Sequence, residues 1–234
     1  MSFVQLFVED ELSEVYEILA ARVLGVDINR RQSRRQKVRA ARLDVSEFTS
    51  KDSLLDSVKR TYRSGSPCVL FILDEEDYNE SPDRSNKLAK FRQAFMELCQ
   101  YLANLPHTDD LKQVKITCII TKSCLECWLL ADPQAIVTAM RGPSSYMPKG
   151  HNTEHHNPRQ AREQMAHIIR EIGRRTNKRQ YTRMSGHSVK TMGTKIALYI
   201  APERARLRNF SLDYFYEMIT CKQSGCDRPF PESA

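Results

Sequence analysis

The chain reads as an α/β protein: a mainly parallel sheet with helices on both faces, followed by a C-terminal helical region. Three observations predict this. Short apolar runs at 3–8, 68–73 and 114–120 alternate with longer segments whose apolar residues recur at helical spacing. That alternation is the mark of β-α-β units, whose crossover helices cover both faces of a parallel sheet. Beyond residue 157 only helical periods remain. At 234 residues the chain accommodates one large domain, or one domain with an appendage. The division is placed after residue 145, giving a sheet domain over 1–145 and a helical region over 146–234.

Residues 3–8, Phe-Val-Gln-Leu-Phe-Val, form the first expected strand, with Glu9 at its C-terminal edge. Leu12, Val15, Tyr16, Leu19 and Val23 then fall at helical spacing, and Gly25 is a natural stop. The stretch 29–50 is basic and irregular, with a strand around 38–45 flanked by loop. Leu54, Leu55 and Val58 mark a second helix, closed by the turn Ser64-Gly65-Ser66-Pro67. After the 68–73 strand, Leu88, Phe91, Phe95, Leu98 and Leu102 mark a longer helix. Val114, Ile116, Cys118 and Ile120 alternate as a third clear strand. In the segment "SCLECWLLADPQAIVTAM", Asp132-Pro133 has the form of a fresh N-cap with proline at the first helical position, so two short helices meet there. Residues 141–157 read as loop, and helices are expected near 158–173, 188–200 and 203–220.

The segment "VLFILDEEDYNES" carries the chemistry. An apolar strand ends in Asp74, Glu75, Glu76 and Asp77. Four adjacent carboxylates repel one another, and their burial is costly unless a cation neutralises them. In a parallel sheet all strand ends point to one edge, and ligands bind there, at the crevice where strand order reverses. Glu9 follows the first strand and Asp74 a central one, so both are expected at that edge, with Glu76 and Asp77 beside them. Hard oxygen ligands of this kind select Mg²⁺ or Mn²⁺. Glu14 is a further candidate ligand, although it and Glu11 also suit the positive N-terminus of the first helix. Glu126 begins a helix after the third strand and is a candidate for a second ion. Lys122, between strand and helix, is placed either to neutralise a scissile phosphate or to lie along the surface.

Net charge is +7, compatible with a polyanionic partner. The cations are concentrated. Arg30, Arg31, Arg34, Arg35, Lys37, Arg39 and Arg42 crowd one segment, and Arg170, Arg174, Arg175, Lys178, Arg179 and Arg183 another. Arg30, Arg31, Arg34 and Arg35, with Arg183, His187 and Lys190, are the candidate contacts to nucleic-acid phosphates; a solvated basic face is the plainer alternative. No apolar run approaches the roughly 18 residues of a membrane span. The opening residues lack a basic stretch followed by an apolar one, so a secretory leader is not expected. The seven cysteines are an odd number without framework spacing, which suits a reducing cytoplasm. Cys124 and Cys127 read as buried thiols rather than half a zinc site, His151, His155 and His156 as a polar loop, Trp128 as core, and Asp132 as a cap.

"LFVEDELSEVYEILAARVL", "VLFILDEEDYN" and "LECWLLADPQAI" together resemble a Toprim-type domain. The nearest likeness is to small bacterial proteins encoded beside ABC-type ATPases in phage-defence loci, akin to the overcoming-lysogenisation-defect Toprim nucleases. In that pattern a Glu follows the first strand and an Asp-x-Asp pair a later one. Glu9 and Asp74 match, while Glu76 stands where Asp is usual, with Asp77 next to it. Asp10 replaces the usual Gly after the first Glu, and Glu14 keeps a second acid. The string Glu126, Trp128, Leu129, Leu130, Ala131, Asp132, Pro133 matches the most distinctive signature, and Tyr181-Thr182-Arg183 a tail element.

The resemblance implies a metal-dependent nuclease using one or two Mg²⁺ or Mn²⁺ ions. Glu9, Asp74, Glu76 and Lys122 would be catalytic, and Glu9, Asp74, Glu76, Asp77, Glu126 and Glu14 would supply the ligands. It further implies a cytoplasmic toxic effector of anti-phage defence, activated or restrained by an ABC-type ATPase and acting on DNA or RNA. The chain has no Walker A motif of its own, so ATP chemistry must come from the partner. The alternative is a non-catalytic adaptor that binds a protein or nucleic acid. Nucleotidyl transfer, as in primases, is a weaker third reading, since no separate nucleotide-binding motif is visible.

Overall fold

A computed structural model describes residues 3–9, 11–74, 82–121, 124–154 and 156–220, with Gln36 and Arg84 described by backbone alone. Four strands, β1 (Val4–Val8), β2 (Val38–Arg42), β3 (Cys68–Asp74) and β4 (Lys115–Thr121), form an all-parallel sheet in the order β2-β1-β3-β4. Val4 of β1 pairs with Val38 on one side and Cys68 on the other, and the register runs on to Val8 opposite Arg42 and Ile72. In β3 every residue from Cys68 to Leu73 is buried. An uninterrupted apolar strand of this kind belongs to a parallel sheet covered on both faces, as the sequence predicts.

Helix α1 (Ser13–Val23) packs on β1 and β2 and ends at Gly25, whose φ of 65° places it in the left-handed region. The next helix, α2 (Arg31–Lys37), is absent from the sequence reading, which has loop there. Its seven residues are all polar, so no apolar period marks it. Helix α3 (Lys51–Arg63) starts at Ser50, whose hydroxyl accepts from the Ser53 N–H at 3.3 Å. Helix α4 (Pro82–Ala103) packs against α3. Between these two helices and the sheet, Phe71 is fully buried, stacked on Phe7 at 5.3 Å and met edge-on by Phe91 and Phe95. Burying a ring of this size contributes about 1.5–3 kcal/mol.

The remaining helices are α5 (Leu125–Leu130), α6 (Pro133–Ala139), α7 (Pro158–Arg175), α8 (Arg179–Thr182), α9 (Gly186–Val189), α10 (Gly193–Ala197), α11 (Pro202–Ala205) and α12 (Phe210–Ile219). α5 and α6 meet at Asp132-Pro133 as the sequence predicts, and both pack on α7. A capping box opens α7: Asn157 accepts from the Gln160 N–H at 2.8 Å, and the Gln160 side chain accepts from the Asn157 N–H at 3.1 Å. Gly173 lets α8 approach, because a Cβ there would sit 2.7 Å from the Thr182 nitrogen. The helices expected at 188–200 and 203–220 are each broken into shorter pieces. Asn209 ends the second run and starts α12 by accepting the Leu212 N–H at 2.9 Å.

The chain divides into two compact units, Met1–Ile120 with the residues from Glu217 onward, and Thr121–Tyr216. The sequence reading places its boundary after 145; the structure groups α5 and α6 with α7 instead. No helix among the described residues is long and apolar enough to cross a membrane.

Candidate metal centre at the carboxyl edge of the sheet

The strand order sets the site. From β1 the chain steps outward to β2, then returns past β1 to lay β3 on its other side. The segments leaving adjacent strands diverge at such a reversal and open a crevice at the carboxyl edge. β1 and β3 flank that crevice. The Glu9 N–H donates to the Ile72 carbonyl at 3.0 Å, prolonging the ladder by one residue. Its carboxylate Oε2 accepts from the Asp74 N–H at 3.3 Å. Two acids 65 positions apart in sequence thus leave the sheet side by side, both half-buried.

A carboxylate fixed in this way, on a residue next to a second acid, is of the kind that suits a hard divalent cation. Mg²⁺ is commonly bound by one or two carboxylates and keeps several of its waters, so half-buried rather than sealed ligands suit it. Oxygen donors favour Mg²⁺ or Mn²⁺ over softer metals. Glu76, Asp77 and Lys122 lie outside the described residues. Among the described residues no group of three or more His, Cys, Asp or Glu converges. Of the acids expected at this edge, Glu9 and Asp74 are the ones described.

Two expected ligands have other partners. Glu14 accepts from Arg34 Nη2 at 3.2 Å. Glu126 belongs to the second unit, its side chain 5% exposed, and its Oε1 accepts from Arg162 Nε at 2.9 Å. An acid this deep needs a compensating charge, and the guanidinium supplies it where the sequence suggests a second metal.

The expected nucleic-acid contacts also divide. Arg34 is a correction to that set: its side chain is 7% exposed, held between Glu14 and Glu17, so it is not available to a polyanion. Arg30, Arg31 and Arg35 are exposed, with Arg30 Nε 3.5 Å from the Asp27 carboxylate. In the second unit Arg183 and His187 are exposed and Lys190 is half-buried, all within one run of short helical turns.

The second unit holds one pairing the sequence does not disclose, beside burials that it does. Asp132 occupies the N-cap position of α6, but its side chain makes no cap bond. Fully buried, it accepts from the Ala201 N–H at 2.8 Å and from both Nε and Nη2 of Arg204. This hydrogen bonding raises the Arg204 pKa above its ordinary value. Trp128, read as core, is fully buried; its indole N–H donates to Ser211 Oγ at 2.8 Å and its ring lies 5.1 Å from Phe215. Cys124 and Cys127 are free and buried, with sulfurs 3.5 Å apart. The hydrogen bond to Cys127, with burial, drives the Cys124 pKa far upward, so the Cys124 thiol stays protonated rather than nucleophilic. His151 is exposed, His156 bonds Gln164 at 2.9 Å, and His155 lies outside the described residues. The partner of Asp132 lies 72 residues away, a distance at which no local spacing signals it.

Comparison with protein-family models, with curated proteins and with solved structures returned no match to this chain.

Proposed function

We propose that the chain is a Toprim-class, Mg²⁺-dependent nuclease, serving as the toxic effector of an anti-phage system under the control of an ABC-type ATPase. One observation carries the reading: Glu9 and Asp74 emerge side by side at the reversal of strand order in a parallel sheet. Glu9 and Asp74 would hold the cation, joined by Glu76 or Asp77. A bound divalent ion at this edge supplies Lewis acidity toward a phosphodiester and a more acidic water. The Asp74 N–H fixes the Glu9 carboxylate beforehand, so less reorganisation is needed when the site fills. Arg30, Arg31 and Arg35, with Arg183, His187 and Lys190, neutralise backbone phosphates. Binding is then largely blind to sequence and weakens steeply with salt.

The test is cleavage of DNA and RNA by purified protein, alone and with the ATPase from its operon, in Mg²⁺ or Mn²⁺. Glu9→Gln and Asp74→Asn are each expected to lose cleavage by roughly a hundredfold or more; undiminished cutting by either overturns the assignment. Recovery of only the free chain from the native operon counts against the ATPase partner. A second reading, a non-catalytic adaptor, draws on the lack of a three-ligand group among the described residues. Calorimetric titration separates the two, since an adaptor takes up no Mg²⁺ at millimolar concentration.

A further inference from the structure

Helix α2 turns its arginines two ways. Arg34 points inward, where it meets Glu14 and Glu17. Arg31 and Arg35 are exposed and line a cavity of about 770 Å³, completed by Glu17, Gln32, Arg39 and Ala40. Neither of those two guanidinium groups takes part in a hydrogen bond or salt bridge with an acidic side chain among the described residues. Arg39 is held in place: its Nε donates to the Arg35 carbonyl at 3.3 Å, and its guanidinium lies 3.9 Å over the Phe3 ring. Three guanidiniums around one concavity repel one another, and an anion relieves that repulsion. Planar guanidiniums in this number suit phosphate oxygens, which they grip in pairs.

The cavity has a second distinguishing group. Glu17 is 6% exposed, and its Oε1 has no hydrogen-bond partner; the nearest cation, Arg34 Nε, stands 3.9 Å off. A buried acceptor left open in this way loses free energy until a donor reaches it. An inorganic anion offers no such donor at neutral pH without repelling the carboxylate. A ligand with phosphate at one end and N–H or O–H groups at the other satisfies both sets. The volume falls within the range of small-molecule sites, on the order of 300–1,000 Å³.

From these groups we infer that the cavity between α1, α2 and β2 is a nucleotide-binding pocket. Arg31, Arg35 and Arg39 hold the phosphates, and Glu17 accepts from the base or the ribose. Arg39 and Ala40 pair with Gln5 and Leu6, well before the Val8–Arg42 pair at the carboxyl edge. Three strand residues, roughly 10 Å, separate Arg39 from that edge. The pocket is thus distinct from the Glu9–Asp74 site, and its occupancy does not depend on the chain being a nuclease.

Isothermal titration at low salt tests this with three probes: a nucleoside diphosphate, inorganic phosphate and a short single-stranded oligonucleotide. The diphosphate is expected to bind one per chain, roughly tenfold or more tighter than inorganic phosphate. Arg31→Ala and Arg35→Ala should each weaken it by about tenfold or more without changing the melting temperature. Glu17→Gln should narrow the gap between nucleotide and phosphate. Glu9→Gln should leave nucleotide binding as it was, which keeps this result separate from the cleavage assay. The inference is overturned if neither small anion gives a saturable signal, or if phosphate binds as tightly as the nucleotide. Binding of the oligonucleotide alone, or undiminished binding in both arginine variants, overturns it as well.

Discussion

Glu126 and Asp132 in the second unit, and Glu9 and Asp74 in the first, are all acids near the end of a strand or the start of a helix. Their surroundings differ. Asp132 is sealed from water and receives a backbone N–H and two guanidinium bonds, while Glu126 receives Arg162. Glu9 and Asp74 remain half-buried at a crevice, one carboxylate steadied by the other residue's N–H. Sealed acids come with a protein cation fixed in place, because the penalty of an uncompensated buried charge is several kcal/mol. Acids at the crevice keep access to solvent and to whatever ion arrives from it. Position in the fold, more than residue type, separates a structural carboxylate from a candidate ligand.

The sharpest way to break this contrast is to remove a sealed acid. Asp132→Ala leaves the Ala201 N–H without its acceptor and the half-exposed Arg204 without its partner, and is expected to cost about 2–3 kcal/mol. Urea unfolding followed by the fluorescence of Trp128, the chain's one tryptophan, reads the effect directly. Arg34→Ala comes next, leaving Glu17 buried beside no close cation, at about 2–3 kcal/mol. Arg35→Ala, one residue on but exposed, should change stability by less than about 0.5 kcal/mol; equal losses in the two would dissolve the division of α2 into an inner and an outer face. Glu9→Gln and Asp74→Asn are expected to shift stability by about 1 kcal/mol or less while abolishing Mg²⁺ uptake in calorimetry. A large loss of stability with intact Mg²⁺ uptake would place these acids with the sealed ones.

The smallest effect concerns pH. Burial raises the Glu17 pKa above its ordinary value of 4.5, with Arg34, Arg35 and Arg31 opposing the rise. The folded chain therefore holds this proton more tightly than the unfolded chain does. Stability contributed at this position is present below pH 4.5 and declines as pH rises through the folded value. Glu17→Gln removes that decline. As pH rises from about 4.5 the melting temperature of the native protein should fall relative to that of the variant; a pH-independent difference between the two would refute the shift.

Much of the scaffold was legible because it rests on local patterns. The apolar run of β3 ends at its acids, the heptad-like spacing from Leu88 to Leu102 marks α4, and Asp132-Pro133 marks the junction of α5 and α6. The meeting of Glu9 with Asp74 was readable too, since parallel topology alone brings strand ends to one edge. What escaped was set by tertiary contact. α2 has no apolar face, and what holds it is an arginine reaching back to Glu14 and Glu17, which no periodicity records. Arg34 and Arg35 are neighbours of one type in a basic run, so nothing local says which is buried. Glu126 and Asp132 look alike as ligand candidates or caps until Arg162 and Arg204, far along the chain, are in place.

The parallel pairing of β1 has a consequence for how the chain is made. β1 leaves the ribosome before either of its two neighbours, which begin only at Val38 and Cys68. Until β3 has been synthesised, the nascent Phe-Val-Gln-Leu-Phe-Val segment waits with one ladder unmade and its apolar side chains open to other contacts. Closing so long a loop before any long-range pairing is rewarded makes for slow folding. The crevice that Glu9 shares with Asp74 is therefore among the later parts of the sheet to take shape during translation.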